Sequence, residues 1–427
     1  MDFLTAAVIV IVAFALLETP LFTVIAGLSI AALLAADPSL LSVQLVLIEM
    51  NRLASMPVLV ALPLFVLVGT LLTETGAPGR IMNFMSALIG WLPGGMAIAA
   101  LCSCAFFTAL TGASGVTIVA LGSILYPILR GRGYSDRFSL GLLTTSGSRG
   151  LLFPPSLAVI LYGVVSQTDI GLIFKAALVP GVLMILMVSA YAFFHRLGQS
   201  GGLARPAPDW DRIKKTFIEG IWEWPVLLIV VVGVYGGFVT IAEVAALVLV
   251  YVLTVACFVT REVRFFRQLP GIMVESAVLS GAIIVILGFA LGFTGVLVDA
   301  QVPERILSFL ISVTQSRILF LAGLNVFLLA VGCAMDIFSA IVIVVPIMVP
   351  IALTYGIDPI HLCMIFLVNL EIGYSTPPVG INLFISSLKF KKPLTVLYRA
   401  SLPYLMLLLA ALMAITYVPW LSLFWIR

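Results

Sequence analysis

Two stretches of this chain interrupt apolar segments with the same small-polar and proline pattern. They are Thr144-Thr-Ser-Gly-Ser-Arg-Gly-Leu-Leu-Phe-Pro-Pro-Ser156 and Leu367-Val-Asn-Leu-Glu-Ile-Gly-Tyr-Ser-Thr-Pro-Pro-Val379. A helix broken in an apolar medium frees carbonyls at the end of one half and N–H groups at the start of the other, and its dipole ends point into the gap. Freed carbonyls can hold a cation such as Na⁺, and a helix N-terminus can hold a carboxylate. Proline adds to this because it has no N–H, which leaves the carbonyl four residues earlier without a donor. In the first stretch the cation candidates are Gly150 and Pro154, faced by Thr111, Gly112 and Ser114 of a small-residue tip. In the second they are Gly373, Thr376 and Pro377, faced by Gly332 and Asp336. Ser146, Ser148, Arg149, Asn369 and Glu371 are the polar side chains placed to meet a substrate.

Charge inside an apolar segment is costly, so Arg149, Asp336 and Glu371 require partners. Two readings are open. Arg149 clamps a substrate carboxylate while Asp336 or Glu371 joins a cation site, or Arg149 and Glu371 pair with one another. Other chemistries find no support. No phosphate-binding loop is present and the dipeptide Gly-Lys does not occur, which argues against direct use of ATP. His195 and His361 are expected at membrane edges and lack a second ligand at metal spacing, so no metal other than Na⁺ is expected. Cys102, Cys104, Cys257, Cys333 and Cys363 lie in apolar stretches and read as small hydrophobes. No nucleophile elbow or zinc-protease motif is found, so the chain reads as no enzyme.

The elements that must position these residues follow from composition. With 62% hydrophobic residues, 10% charged residues and a mean hydropathy of +1.24, the chain reads as an all-α polytopic membrane protein. Its basic residues form no groove-like run, so nucleic acid is not a partner. The start of the chain lacks a basic leader, and its first apolar segment reads as a retained span. Six pairs share an offset of 223 residues: Pro127/Pro350, Gly133/Gly356, Gly150/Gly373, Pro154/Pro377, Pro155/Pro378 and Pro180/Pro403. The chain therefore reads as two repeats, residues 1–197 and 216–427, joined by a linker at 198–215. Phe3 to Ala35 is too long for one crossing and splits at Glu18-Thr-Pro20. Trp224 to Thr260 splits near Gly236-Gly237, and single spans fall at Pro57–Thr73, Leu172–Phe194, Gly271–Val298 and Leu394–Val418. Residues 94–130 and 316–354 read as re-entrant hairpins with tips Thr111–Gly115 and Gly332–Asp336. Residues 137–166 and 359–388 read as broken helices, and Pro78–Leu88 and Pro303–Val313 as interfacial arms between a moving and a fixed unit. Five crossings per half invert the second repeat. Sixteen Lys and Arg then fall on one side and five on the other, leaving Arg149 inside. That asymmetry puts both termini outside the cytoplasm, with the first hairpin entering from the cytoplasm and the second from the exterior.

The motif Gly90-Trp-Leu-Pro-Gly-Gly95, the tip Gly112-Ala-Ser-Gly115, Phe153-Pro-Pro-Ser156 and Gly373-Tyr-Ser-Thr-Pro-Pro-Val-Gly-Ile-Asn-Leu-Phe384 resemble the large membrane subunit of tripartite ATP-independent periplasmic (TRAP) transporters. The resemblance runs over nearly the whole chain. It implies an inverted-repeat elevator-type transporter in the bacterial inner membrane, without cofactor and with Na⁺ as coupling ion. It also implies two partners, a small four-helix membrane subunit and a periplasmic substrate-binding protein that delivers a small organic acid. Carried over by position, Gly112, Ser114 and Gly150 belong to a first cation site and Gly332, Gly373 and Thr376 to a second. Relatives usually carry an apolar residue where this chain has Arg149, a departure that bears on substrate and suggests a doubly charged acid. A single-component Na⁺/organic anion symporter of the same superfamily is the nearest alternative, and a channel is a more distant one.

Overall fold

The computed structural model describes residues 51–53, 55–199, 208–299 and 301–426, with isolated positions between 23 and 48. The two spans expected in Phe3 to Ala35 lie outside the described residues. Described helices are numbered here in chain order. A short 3-10 turn, Pro57–Val60, leads into α1 (Ala61–Thr73), which bends by 74° into the arm helix α2 (Ala77–Ile89). The first hairpin is α3 (Gly95–Thr111) and α4 (Ser114–Gly131); the first broken helix is α5 (Asp136–Ser146) and α6 (Leu157–Ser166). Then come α7 (Ile170–Gln199), α8 (Trp210–Glu219), α9 (Trp224–Gly236), α10 (Ile241–Thr254, extended by one π turn), α11 (Leu269–Asp299) and the second arm α12 (Val302–Val313). The second hairpin is α13 (Arg317–Ala334) and α14 (Ile337–Thr354), the second broken helix α15 (Pro359–Gly373) and α16 (Ile381–Phe390), followed by α17 (Leu394–Tyr417) and α18 (Trp420–Leu423).

Local chemistry sets the helix starts. The Ser135 hydroxyl accepts from Phe138 N–H, Ser156 from Val159 N–H, and the Asp358 carboxylate from Ile360 N–H, each filling an otherwise orphaned donor. The stretch 198–215 read as linker includes the start of a helix, since Asp209 caps α8 and residues from Trp210 onward are helical. The second tip is also shorter than expected, since Gly332 to Ala334 complete α13 and Met335 and Asp336 alone stand outside helix.

The two repeats complete each other. The returning arm α4 packs along α16 of the second broken helix, and α14 packs along α6 of the first. In the same way α17 packs on α5, and α7 on α15. Ser148 and Glu371, equivalent under the 223-residue offset, touch directly, with the Ser148 hydroxyl 3.4 Å from the Glu371 carbonyl oxygen. Contact between equivalent residues places the pseudo-symmetry axis between the two breaks. The hairpins differ in one respect. Arms α3 and α4 pack against each other, whereas α13 lies mainly along α15 and α14 mainly against α6 and α11.

The first arm is fastened at its start. Arg80 donates from Nε and Nη2 to Glu223 at 2.9 and 2.6 Å and reaches Glu262 through Nη1. Glu262 also accepts from Gly76 N–H at 3.0 Å. Around this clamp Phe84 meets Trp224 edge-on at 4.6 Å, and Phe217 stacks on Trp224 at 5.5 Å. The equivalent Arg305 on α12 is exposed and makes no ion pair among the described residues. Arg80→Ala strands the buried Glu223 carboxylate and should cost about 2 kcal/mol, lowering the melting temperature in detergent, with Arg80→Lys recovering part of it. Partial burial pushes the Glu262 carboxyl up, but the Arg80 and Gly76 donors outweigh it and hold the group below its ordinary value of 4.5. Its contribution is therefore present above that value and lost as pH falls through the lower folded one. Melting curves over that acid window should be flatter for Glu262→Gln than for the unaltered chain.

Candidate functional site

At the first break α5 ends at Ser146, and the chain turns through Gly147 to Pro155 before Ser156 caps α6. The turn is held from α3: the Thr108 hydroxyl donates to Gly147 carbonyl oxygen at 2.7 Å and meets the Thr117 hydroxyl at 2.6 Å. Gly150 presses against the α3 backbone. A methyl group there would lie 2.1 Å from the Ala105 carbonyl oxygen and 2.4 Å from Ala109 N, closer than any side chain can sit. The second break repeats the arrangement. A methyl on Gly373 would lie 2.5 Å from the Gly332 carbonyl carbon, so these two glycines bring α15 and α13 into backbone contact. Gly380 N–H then donates to Cys333 carbonyl oxygen at 3.1 Å, and Asn382 N–H to Tyr374 carbonyl oxygen at 3.0 Å.

The carbonyls expected to be left free by Pro154 and Pro377 are partly engaged. Gly150 carbonyl oxygen accepts from Phe153 N–H at 3.0 Å, and Gly373 carbonyl oxygen from Thr376 N–H at 2.9 Å. The residue before each proline closes a tight turn onto the carbonyl that proline cannot reach, and one lone pair of each oxygen remains for a ligand. Both doubled prolines are joined by cis peptide bonds.

The structure brings the predicted residues together in part. Gly332, Gly373 and Thr376 converge, and the Thr376 hydroxyl donates back to Ile372 carbonyl oxygen at 2.8 Å. Asp336 serves as the cap of α14, its carboxylate accepting from Phe338 and Ser339 N–H at 3.0 Å each and from the Ser339 hydroxyl. At the first tip the Ser114 hydroxyl donates to the Asn382 side-chain oxygen at 2.8 Å, while its carbonyl oxygen lies against Gly147 of the first loop. Gly112 packs against Leu157 and Thr111 carries an unpartnered hydroxyl, so Gly150 meets α3 above the tip and not the tip itself. Asn369 donates to Asn325 Oδ1 and to Ile365 carbonyl oxygen, both at 2.7 Å. His361, in the first turn of α15, is fully buried among helices, with Nδ1 3.1 Å from the Ser422 hydroxyl and Nε2 3.2 Å from Thr416 carbonyl oxygen. The covering helix α18 follows a proline and is too short to show as an element in the sequence.

Arg149 and Glu371 approach one another, Nη1 to Oε2 3.3 Å, with both side chains almost fully buried. The contact lacks hydrogen-bond alignment, so Arg149 Nη1 and both Glu371 carboxylate oxygens remain without such a partner. Ten buried side-chain polar atoms are in that condition among the described residues. Eight belong to Thr111, Ser146, Arg149, Asn369, Glu371, Ser375 and Asn382, at the tips, the breaks or their flanks. Native interiors pair most such groups with protein or water, so their concentration makes the two breaks the candidate place for a polar ligand. Asn382 and Ser375 were not singled out from the sequence. Their signal was available in the Gly-Ile-Asn run after the second doubled proline, which starts a helix facing the first tip.

A model of the family described as tripartite ATP-independent periplasmic transporter, DctM component, matches residues 7–421. A C4-dicarboxylate TRAP transporter large permease protein, DctM, from Pseudomonas aeruginosa is 37% identical over 385 residues, covering 90% of this chain and 89% of the relative. An isethionate TRAP transporter permease protein from Oleidesulfovibrio alaskensis is 36% identical over 404 residues, or 93% of this chain, and this chain spans 62% of that relative's length. An ectoine/5-hydroxyectoine TRAP large permease from Ruegeria pomeroyi is 30% identical, covering 86% of this chain and 85% of the relative. Among solved structures, the YdaH transporter of Alcanivorax borkumensis superposes with a TM-score of 0.61 at 16% identity, covering 89% of this chain and 88% of that one. That likeness shows the fold.

The close approaches at the breaks have a direct consequence. Gly373→Ala and Gly150→Ala each force a backbone separation costing about 1–3 kcal/mol, and solute uptake in membrane vesicles should fall at least about tenfold for a site that tolerates so little displacement. Gly281→Ala, at a position with open space around it, serves as the control and should retain uptake.

Proposed function

This chain belongs to the tripartite ATP-independent periplasmic transporter family as a DctM component, the large permease, and from that premise we propose that it imports a small organic acid in symport with Na⁺. It works with a small membrane subunit and with a soluble periplasmic protein that delivers the acid. The chain sits in the inner membrane with both termini on the periplasmic side, a placement supported by the sixteen-to-five division of basic residues. The observation that carries the reading is the gathering of unpartnered buried polar atoms at two equivalent helix breaks. Carbonyl ends at Gly150 and Gly373 and the Thr376 region suit small cations, while the helix start near Asn382 and the guanidinium of Arg149 suit an anion.

The moving unit in this proposal is the interlocked set of hairpins and broken helices, α3–α6 and α13–α16. The fixed unit includes α1 and α9–α11, and the arms α2 and α12 connect the two. An elevator motion of this kind is supported by the clamp at Arg80, which fastens one end of α2 to the start of α9 and to the loop after α10. Relatives are named for dicarboxylates, isethionate and ectoine, which supports a small organic solute as the cargo.

Reconstituting the chain with its small subunit in vesicles, and adding a binding protein loaded with a labelled acid, tests the reading. Uptake should saturate, should require an inward Na⁺ gradient and the binding protein, and should proceed without ATP. Flux that is linear in solute and indifferent to Na⁺ would point to a channel and end the proposal.

A further inference from the structure

The two breaks are alike in backbone and unlike in charge. Under the repeat offset Gly150 matches Gly373 and Arg149 matches Ile372, so the first half places a permanent cation where the second half has an apolar side chain. The guanidinium is 2% exposed and is oriented mainly by carbonyls. Nε donates to Thr145 carbonyl oxygen, in the last turn of α5, at 3.0 Å. Nη2 approaches Glu371 carbonyl oxygen, in the last turn of α15, at 3.4 Å, and the Ser148 hydroxyl at 3.1 Å. Both carbonyls stand at the negative ends of helix dipoles, which is where a bound cation gains most. Glu371 places a carboxylate at the end of α15, where the dipole opposes negative charge, and its two oxygens have no hydrogen-bond donor. A buried carboxylate so placed needs positive charge nearby.

We propose that Arg149 is a tethered cation seated between the carbonyl ends of the two broken helices, and that with Glu371 it sets how strongly the adjoining sites hold movable Na⁺. The inference rests on the Na⁺-coupled reading above. The pair is then an electrostatic setting of the coupling sites and not only a brace between repeats. A brace and a setting predict different signs. Loss of either half of a brace weakens the same structure, so Na⁺ binding suffers both ways. Loss of the guanidinium leaves an uncompensated carboxylate and draws Na⁺ in, whereas loss of the carboxylate leaves an uncompensated guanidinium and repels it.

The test is Na⁺ titration of the full chain, read as thermal stabilisation in detergent and as half-saturating Na⁺ for uptake in the reconstituted assembly, with choline replacing Na⁺. Arg149→Gln should bind Na⁺ tighter and Glu371→Gln weaker, each by about tenfold, the scale of one unit charge several ångströms away at intermediate dielectric. Arg149→Lys should stay near the unaltered chain, and Arg149→Gln/Glu371→Gln should return toward it. Shifts of the same sign in both single variants, or none, overturn the inference while leaving Na⁺ coupling intact. If Arg149→Gln does not fold, the comparison of Glu371→Gln with the double variant decides: recovery in the double supports the setting, and an equal or deeper loss overturns it. An unaltered chain that ignores Na⁺ in both measurements overturns the coupling proposal and this inference with it.

Discussion

Every main-chain N–H and C=O within an apolar slab must find a partner, and this molecule breaks its helices there twice. The structure meets that requirement by close backbone contact. Gly150 admits α3 and Gly373 admits α13 to distances at which no side chain fits, so loop groups find donors and acceptors on the neighbouring hairpin. Thr108 on Gly147, and Gly380 on Cys333, are the bonds that result. The two breaks hold their shape because a hairpin is pressed against each.

Reciprocal packing follows from the same need. A broken helix has two short halves, ten to fifteen residues long, and neither half buries enough surface to fix its own position. Each second half, α6 or α16, lies along the returning arm of the opposite repeat, α14 or α4. The Ser114–Asn382 and Thr144–Ser386 hydrogen bonds, 2.8 and 2.9 Å, cross between repeats one turn apart on α16. The site is thus shared, and neither repeat contains it alone. Electrostatics follow the same geometry, since the Arg149–Glu371 contact joins a residue of one break to a residue of the other across the pseudo-axis. Burying both charges is expensive, and a pair without aligned hydrogen bonds recovers only part of that cost.

Much of this was legible in the chain before any fold was known. The 223-residue offset, the doubled prolines and the glycine before each of them identified both breaks, because conformational punctuation by Pro and Gly is local and survives in sequence. Spans were legible for a similar reason, as hydrophobic length is a property of composition. Less legible were the roles of individual polar side chains. Asp336 reads as a charge in want of a cation, and the structure shows a second use, since its carboxylate caps α14. The partners of His361 were not legible either, because Ser422 of α18 and Thr416 of α17 lie more than fifty residues away in the chain. Asn382 and Asn325 were unremarked because their partners lie on helices far away in sequence.

The sequence by itself determined that this chain is a doubled membrane transporter of the TRAP type, where its helices break and which backbone segments lie at the breaks. Tertiary structure alone decided which polar groups are already spent and which are left over. It also set Glu371 beside Arg149, the partner available within the chain. The reason is physical: helix length and interruption depend on neighbours along the chain, whereas satisfaction of a buried polar atom depends on which distant helix packs within about 3 Å of it.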